Sequence, residues 1–337
     1  MGKVLVTGAA GFIGSHTCDQ LLIAGHDVTG VDNFRTGRAE NLASAKTYDR
    51  FRFVEADVLH GENLDRIVNE FRPDAIIHLA ALVSVQESIQ YPGLNFELNV
   101  ELSQRIAEAA RNHFVRRVVF ASSAAVYGDV RDMPLSEYGA KRPISPYGAA
   151  KLASESILLG HAAAFGFIVR CQRYFNVFGP RQDPRSPYSG VISIFCERLQ
   201  GGHSVTIHGD GEQTRDFISV HDVARANVLA ATSTEIPSGV ANICSGSSTS
   251  LNQLVAVLRT LIPHAPAPIY ADAKSGDIRH SRGDTRMAKS ELGFTSLVSL
   301  EEGLAGVLRG FKPLEGGSGL CVSGRGPLRS FDKSFEQ

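Results

Sequence analysis

The chain has 337 residues, 43% of them hydrophobic, enough to bury a large core as one large or two moderate domains. Its formal net charge of −1 leaves no basic footprint for nucleic acid or an anionic membrane, and no apolar run approaches the roughly 20 residues of a membrane span. Five cysteines, an odd count without C-x-x-C spacing, argue against a disulfide framework, no metal-ligand spacing appears, and no basic-then-apolar targeting segment opens the chain, so a reducing, cytoplasmic setting is expected.

From the N-terminus, short runs rich in Val, Ile and Phe alternate with segments of helical period. Residues 4–7, 27–32, 51–55, 75–79, 118–122 and 168–174 read as strands, and 13–24, 61–71, 98–112 and 147–165 as helices. This alternation predicts an α/β fold, a Rossmann-type doubly wound parallel sheet with ligands beyond the carboxyl ends of its strands. After about Phe175 the rhythm changes. A loop rich in Gly, Pro, Arg and Asp spans 179–190, followed by helix 191–200, strand 204–208, helix 221–231, strand 240–243 and helix 251–261. We expect residues 1–175 to form a dinucleotide-binding domain and 176–313 a smaller, partly interleaved α/β substrate domain. The tail 314–337, rich in Gly and Ser, is expected to pack poorly and to carry no function.

Gly8-Ala9-Ala10-Gly11-Phe12-Ile13-Gly14 falls between the first strand and the first helix. Glycines there permit a tight turn, close approach to a pyrophosphate and close packing of helix on strand. The helix N-terminus adds unpaired N–H groups and a dipole that favours an anion. Asp32 ends the next strand about 20 residues on, where a carboxylate accepts the adenine-ribose hydroxyls and repels a 2′-phosphate. NAD is therefore the expected cofactor, with Arg35 close enough to weaken that preference.

Tyr147 and Lys151 stand four residues apart, on one face of a helix. An ammonium beside a phenol, joined by a cationic nicotinamide ring, is expected to lower the tyrosine pKa and make it a base near neutrality. Ser122 and Ser123 end the preceding strand, where a hydroxyl can hydrogen-bond the substrate oxygen that Tyr147 deprotonates. Each feature alone is common: such a pair is usually a solvated helix face, and such a serine a turn former. Their joint occurrence downstream of a dinucleotide fingerprint is not.

With these motifs the chain resembles the extended short-chain dehydrogenases/reductases, the NAD-dependent epimerase/dehydratase family, over about residues 1–308. Further motifs carrying the resemblance are Asp32-Asn33, Asp57-Val58, His78-Leu79-Ala80-Ala81, Ser122 to Gly128, Arg173 to Gly179, Arg215-Asp216-Phe217 and Gly276-Asp277. The resemblance implies that Asp57 and Val58 contact the adenine and that Leu79, Ala80 and Ala81 line the cofactor path. It implies that Lys151 holds the nicotinamide ribose, and that Asn33, Asn99, Ser122 and Tyr174 also serve the cofactor. It further places Asn176 and Arg215 at a nucleoside diphosphate, with Ser84, Val191, Lys274, Asp277 and Ser281 also at the substrate. A guanidinium fork suits phosphate oxygens, and the alternative for Arg215 is a surface salt bridge with Asp216.

Ala124 and Ala125 discriminate among reactions. Dehydratases of this family carry an acidic pair there, and related decarboxylases a Glu at the second position; two alanines can move no proton. Oxidation followed by return of the hydride, an epimerisation at C4 through a transient 4-keto sugar, is what the resemblance then implies. In the 4-epimerases that the chain resembles, a small residue at the position of Ser281 admits a 2-acetamido group, which implies UDP-GlcNAc/UDP-GalNAc, alongside UDP-glucose/UDP-galactose. Lys274 stands where the family often has Arg, and Val83 where many galactose-type epimerases have Lys. A UDP-glucuronate 4-epimerase, a nucleotide-sugar 4-ketoreductase and a non-catalytic dinucleotide sensor are the competing readings. The family also implies a homodimer through two helices of the first domain.

Overall fold

Residues 1–60, 62–184, 190–273 and 278–310 are described in a computed structural model of the chain. The strands are β1 (Lys3–Thr7), β2 (Asp27–Asp32), β3 (Phe51–Glu55), β4 (Ala75–His78), β5 (Arg117–Ser123), β6 (Ile168–Tyr174), β7 (Asn176–Phe178), β8 (Thr206–His208), β9 (Thr214–Arg215), β10 (Phe217–Ser219), β11 (Gly239–Ile243), β12 (Thr249–Ser250) and β13 (Ile269–Ala271). Seven form one parallel sheet in the order β11-β6-β5-β4-β1-β2-β3. The sheet is an α/β, Rossmann-like arrangement.

Alternation along each strand builds a core on both faces. Val4 and Val6 of β1 join one apolar cluster with Ile77 and Val119, while Leu5 joins another with Ile76, Val118 and Phe120. The first cluster is covered by α1 (Phe12–Ile23), which supplies Cys18, Leu21 and Leu22. The second is covered by α2 (Asn63–Phe71), and, beyond the short helices α3 (Val85–Gln90) and α4 (Pro92–Asn95), by α5 (Leu102–Asn112) and α6 (Pro146–Phe165).

The chain past residue 176 returns to this sheet. Beyond α7 (Val191–Gln200), α8 (Val220–Thr232) packs on α1, and β11 pairs with β6. A separate cluster joins α7 to α9 (Leu251–Leu261) and, past α10 (Arg286–Leu292), to α11 (Leu300–Gly310), through Phe195, Leu199, Leu254, Leu258 and Leu304.

Differences from the expected elements have local causes. The segment expected as helix from residue 98 instead begins as a π-helical stretch, Phe96–Glu101, before α5. There Asn99 O accepts from the Ser103 hydroxyl at 2.6 Å and from the Ser154 hydroxyl at 3.0 Å, so side chains compete for a backbone carbonyl of the stretch. The pairs β7–β10 and β9–β12 went unforeseen because two or three residues show no period. Helices α10 and α11 were also not expected, although Leu300, Leu304, Val307 and Leu308 do carry helical spacing. The expected tail lies outside the described residues, among which no helix is long and apolar enough to cross a membrane.

Candidate active site

The turn after β1 is made by glycines that nothing larger could replace. Gly8 has φ +71°, and a Cβ on Gly14 would come within 2.0 Å of Gly8 O. A Cβ on Gly11, by contrast, would meet only Gly8 O within 4 Å, so open space lies before the start of α1. No described side chain caps that start. Its first N–H groups therefore remain to bind an anion, as a pyrophosphate site requires. The cradle fits the dinucleotide.

Asp32 is buried at the end of β2, and it organises the neighbouring loops. Its Oδ2 accepts from Ala10 N–H at 2.9 Å and its Oδ1 from Phe34 N–H at 2.8 Å. Burial raises its pKa, and these backbone hydrogen bonds oppose the rise. Gly37 passes so near that a Cβ there would lie 2.8 Å from the carboxylate. Arg35 is paired with Glu87 of α3, and Arg38 with Asp183. With both guanidinium groups engaged there, the expected weakening of the NAD preference by Arg35 has no direct contact with Asp32 behind it.

Residue pairing across β5 and β6 brings Ser123 opposite Tyr174 at the carboxyl edge. The Ser145 hydroxyl caps α6 by accepting from Gly148 N–H at 3.1 Å, and Pro146 occupies the first turn. Gly148 lets the helix rest on the turn after β5, since a Cβ there would lie 2.5 Å from Ala125 O. Tyr147 N–H donates to Ser88 Oγ at 3.1 Å. Lys151 is buried, its Nζ 4.9 Å from the Phe120 ring centroid and 5.9 Å from that of Tyr147.

Burial by the chain's own residues raises the Tyr147 pKa, and the neighbouring Ser123 hydroxyl opposes the rise. Burial also brings Lys151 down from 10.5 to about 7, with Glu155 opposing. The same desolvation that acts on the phenol thus weakens the ammonium expected to help it.

The cavity is about 950 Å³, near the upper end of small-molecule sites. It brings together Gly8, Gly11, Phe12, Ile13, Gly14, Asp32, Asn33, Asp57, Val58, Leu79, Ala80, Ala81, Ser122, Ser123, Tyr147, Lys151, Tyr174, Asn176 and Val191. Val83 also borders it. Four expected residues are not among those that line it. Asn99 is buried, donating to Leu82 O and Asn95 Oδ1; Ser84 caps α3; Arg215 lies in β9; and Ser281 N–H donates to Thr214 O at 3.2 Å. Lys274 and Asp277 lie outside the described residues.

Asp216 is fully buried, accepting from Ser245 N–H and Oγ, Gly246 N–H and Gly283 N–H at 2.7–3.1 Å, so a surface salt bridge with Arg215 is not its role. The walls that sequence reasoning missed are Phe34, Thr36–Arg38 and Asn41 on one side, and Phe178, Ile192 and Phe217 on the other. The Thr36-Gly37-Arg38 loop just after Asp32 was a usable signal; the apolar wall, drawn from three separate elements, had none.

The NAD dependent epimerase/dehydratase family model matches residues 4–244. A UDP-glucose 4-epimerase of Mycolicibacterium smegmatis is 40% identical over 314 residues, 92% of this chain and 98% of that protein. Among solved structures, a UDP-glucose 4-epimerase of Thermotoga maritima with UDP-glucose aligns with TM-score 0.85 and 39% identity, over 91% of this chain and 98% of that one. A UDP-N-acetylglucosamine 4-epimerase of Methanobrevibacter ruminantium, in complex with UDP-N-acetylmuramic acid, aligns with TM-score 0.87 and 37% identity, over 92% and 97%. Glycine turn, buried strand-end carboxylate, and the serine, tyrosine and lysine on one cavity thus accompany a match across most of the chain, and the protein belongs to the NAD-dependent epimerase/dehydratase family.

Proposed function

We propose that this isomerase interconverts UDP-sugars epimeric at C4, taking UDP-GlcNAc/UDP-GalNAc and also UDP-glucose/UDP-galactose. The observation carrying the reading is the convergence of Ser123, Tyr147 and Lys151 on one cavity with the glycine turn, beside Ala124 and Ala125, which offer no acid or base for elimination. Similarity to epimerases of both substrate types supports the pair of substrates.

In this mechanism Tyr147 takes the proton of the sugar C4 hydroxyl and later returns it. Ser123, on the same cavity wall as Tyr147, holds the reacting oxygen for the phenol. Lys151 in its charged form favours the phenolate. Asn176, Val191 and Arg215 hold the nucleotide, whose binding energy retains a 4-keto sugar while it turns over. Bound NAD supplies the site that accepts the C4 hydride and gives it back.

Purified protein given UDP-GlcNAc, without added NADH, should form UDP-GalNAc by NMR, and UDP-glucose should form UDP-galactose. Tyr147→Phe should lose about 10²- to 10⁴-fold in rate while still binding NAD. A stoichiometric requirement for NAD(P)H would replace this reading with a ketoreductase. Product from UDP-glucose alone would remove the acetamido sugar.

A further inference from the structure

Behind the reacting face lies a buried carboxylate that the sequence motifs did not single out. Glu155, 3% exposed, follows Lys151 by one turn on the same side of α6. Its Oε1 accepts from Ser122 Oγ at 2.5 Å and from Arg173 Nε at 2.8 Å, and its Oε2 from Arg173 Nη2 at 2.6 Å. Arg173 Nη1 donates to the Tyr127 hydroxyl at 3.0 Å, which donates to Asn242 Oδ1 at 2.6 Å. Helix α6 and strands β5, β6 and β11 are therefore tied together through one carboxylate.

The position of this knot matters more than its strength. Ser122 and Arg173 are paired across β5 and β6, and the residues that follow them, Ser123 and Tyr174, border the cavity. Glu155 sets the distance between those strand ends and the helix carrying Tyr147 and Lys151. A buried ion pair is weak evidence of stabilisation but an effective fixer of geometry.

The charge also has a target. Lys151 faces the Phe120 ring from β5 and the Tyr147 ring from its own helix, while buried His78 on β4, its pKa lowered to about 3, is neutral. Glu87 of α3 and Glu101 of the π-helical stretch are engaged by Arg35 and Arg105. Arg173 lies on Glu155, and Lys141 from the loop before α6 senses both. Glu155, one helical turn from Lys151 on α6, opposes the lowering of the Lys151 pKa by burial.

We propose that Glu155 is a positioning residue of the reaction centre, clamping the Ser122–Ser123 strand end to α6 and supplying a negative charge one helical turn from Lys151. The kinetic part of this rests on the epimerase reading; the electrostatic part does not.

The test uses full-length protein carrying carbon-13 at lysine Cε, the Lys151 signal being identified by its loss in Lys151→Arg. Glu155→Gln removes the charge, so the Lys151 titration midpoint should fall by about one pH unit or more. Glu155→Asp keeps the charge and should leave the midpoint near that of the wild type. In turnover, the alkaline limb of the Glu155→Gln pH profile should move down in parallel. An unmoved midpoint in Glu155→Gln overturns the proposal even if the wild type is an active epimerase. A midpoint that moves in a protein that converts no UDP-sugar supports Glu155 and refutes the epimerase reading. Should Glu155→Gln fail to fold, with Arg173 left unpaired, Ser122→Ala decides the clamp: kcat should drop about tenfold with the Lys151 midpoint unchanged. Wild-type kcat in Ser122→Ala overturns it.

Discussion

At Tyr147 and Lys151 the fold withdraws two ionisable groups from water together, and the direction of each pKa follows from that act. The phenol moves up and the ammonium down, so the free site is poised with its proton on Tyr147. Asp32 is likewise raised by burial, but backbone N–H groups on both sides hold its carboxylate and oppose the rise. Those same oxygens are what a ribose would meet. Replacing Asp32 with Asn keeps the size but sets an amide against N–H donors and removes the charge. We expect NAD affinity to fall about tenfold or more, with NADP losing less, by calorimetry. Equal losses for the two cofactors would show that Asp32 shapes the loop without reading the ribose.

Element by element, the site depends on backbones that approach closely. Helix α1 starts where it does because Gly14 lies against Gly8, and α6 because Gly148 lies against Ala125. A methyl at Gly14 has no flexible neighbour to displace, only the Gly8 carbonyl. Gly14→Ala should therefore shift α1 from β1, costing about 1–3 kcal/mol or more in urea melts, and reduce NAD binding in the same samples. Full NAD affinity in this variant would mean that the turn can relax without disturbing the anion cradle. The cap at Ser145 and the first-turn Pro146 were legible because helix starts are written in adjacent residues. The π-helical stretch was not, because Asn99 O within it also accepts from the Ser154 hydroxyl, 55 residues away.

For the molecule as a whole, the cavity lies where the sheet edge meets residues returning from beyond position 176, such as Asn176, Val191 and Phe217. Two buried histidines join this framework to pH. Burial lowers His16 and His78 from 6.5 to about 3, against an opposing contact of His16 with Pro180 O and a further lowering of His78 by Lys151. Between those values the unfolded chain binds a proton at each that the folded chain refuses. Stability should thus fall as pH drops from 6.5 towards 3, by up to about 1.4 kcal/mol per pH unit for each histidine. Asp32, Glu137 and Asp216, raised by burial, oppose this at the acid end. Urea midpoints from pH 7 to 4.5 for the wild type and His16→Gln isolate the effect, the variant giving the flatter profile. Parallel profiles would place the His16 proton on the folded chain.

The sequence by itself determined the strand–helix alternation, the glycine turn, Asp32, and the candidate trio Ser123, Tyr147 and Lys151. Each of these is a local constraint: a period, a positive φ, a spacing of four on one helix face. Tertiary structure alone decided that β11 completes the sheet, that Phe178, Ile192 and Phe217 share a wall, and that Glu155 meets Ser122 and Arg173 behind the reaction centre. Those outcomes depend on which distant residues exclude water together, and desolvation by distant residues leaves no pattern along the chain.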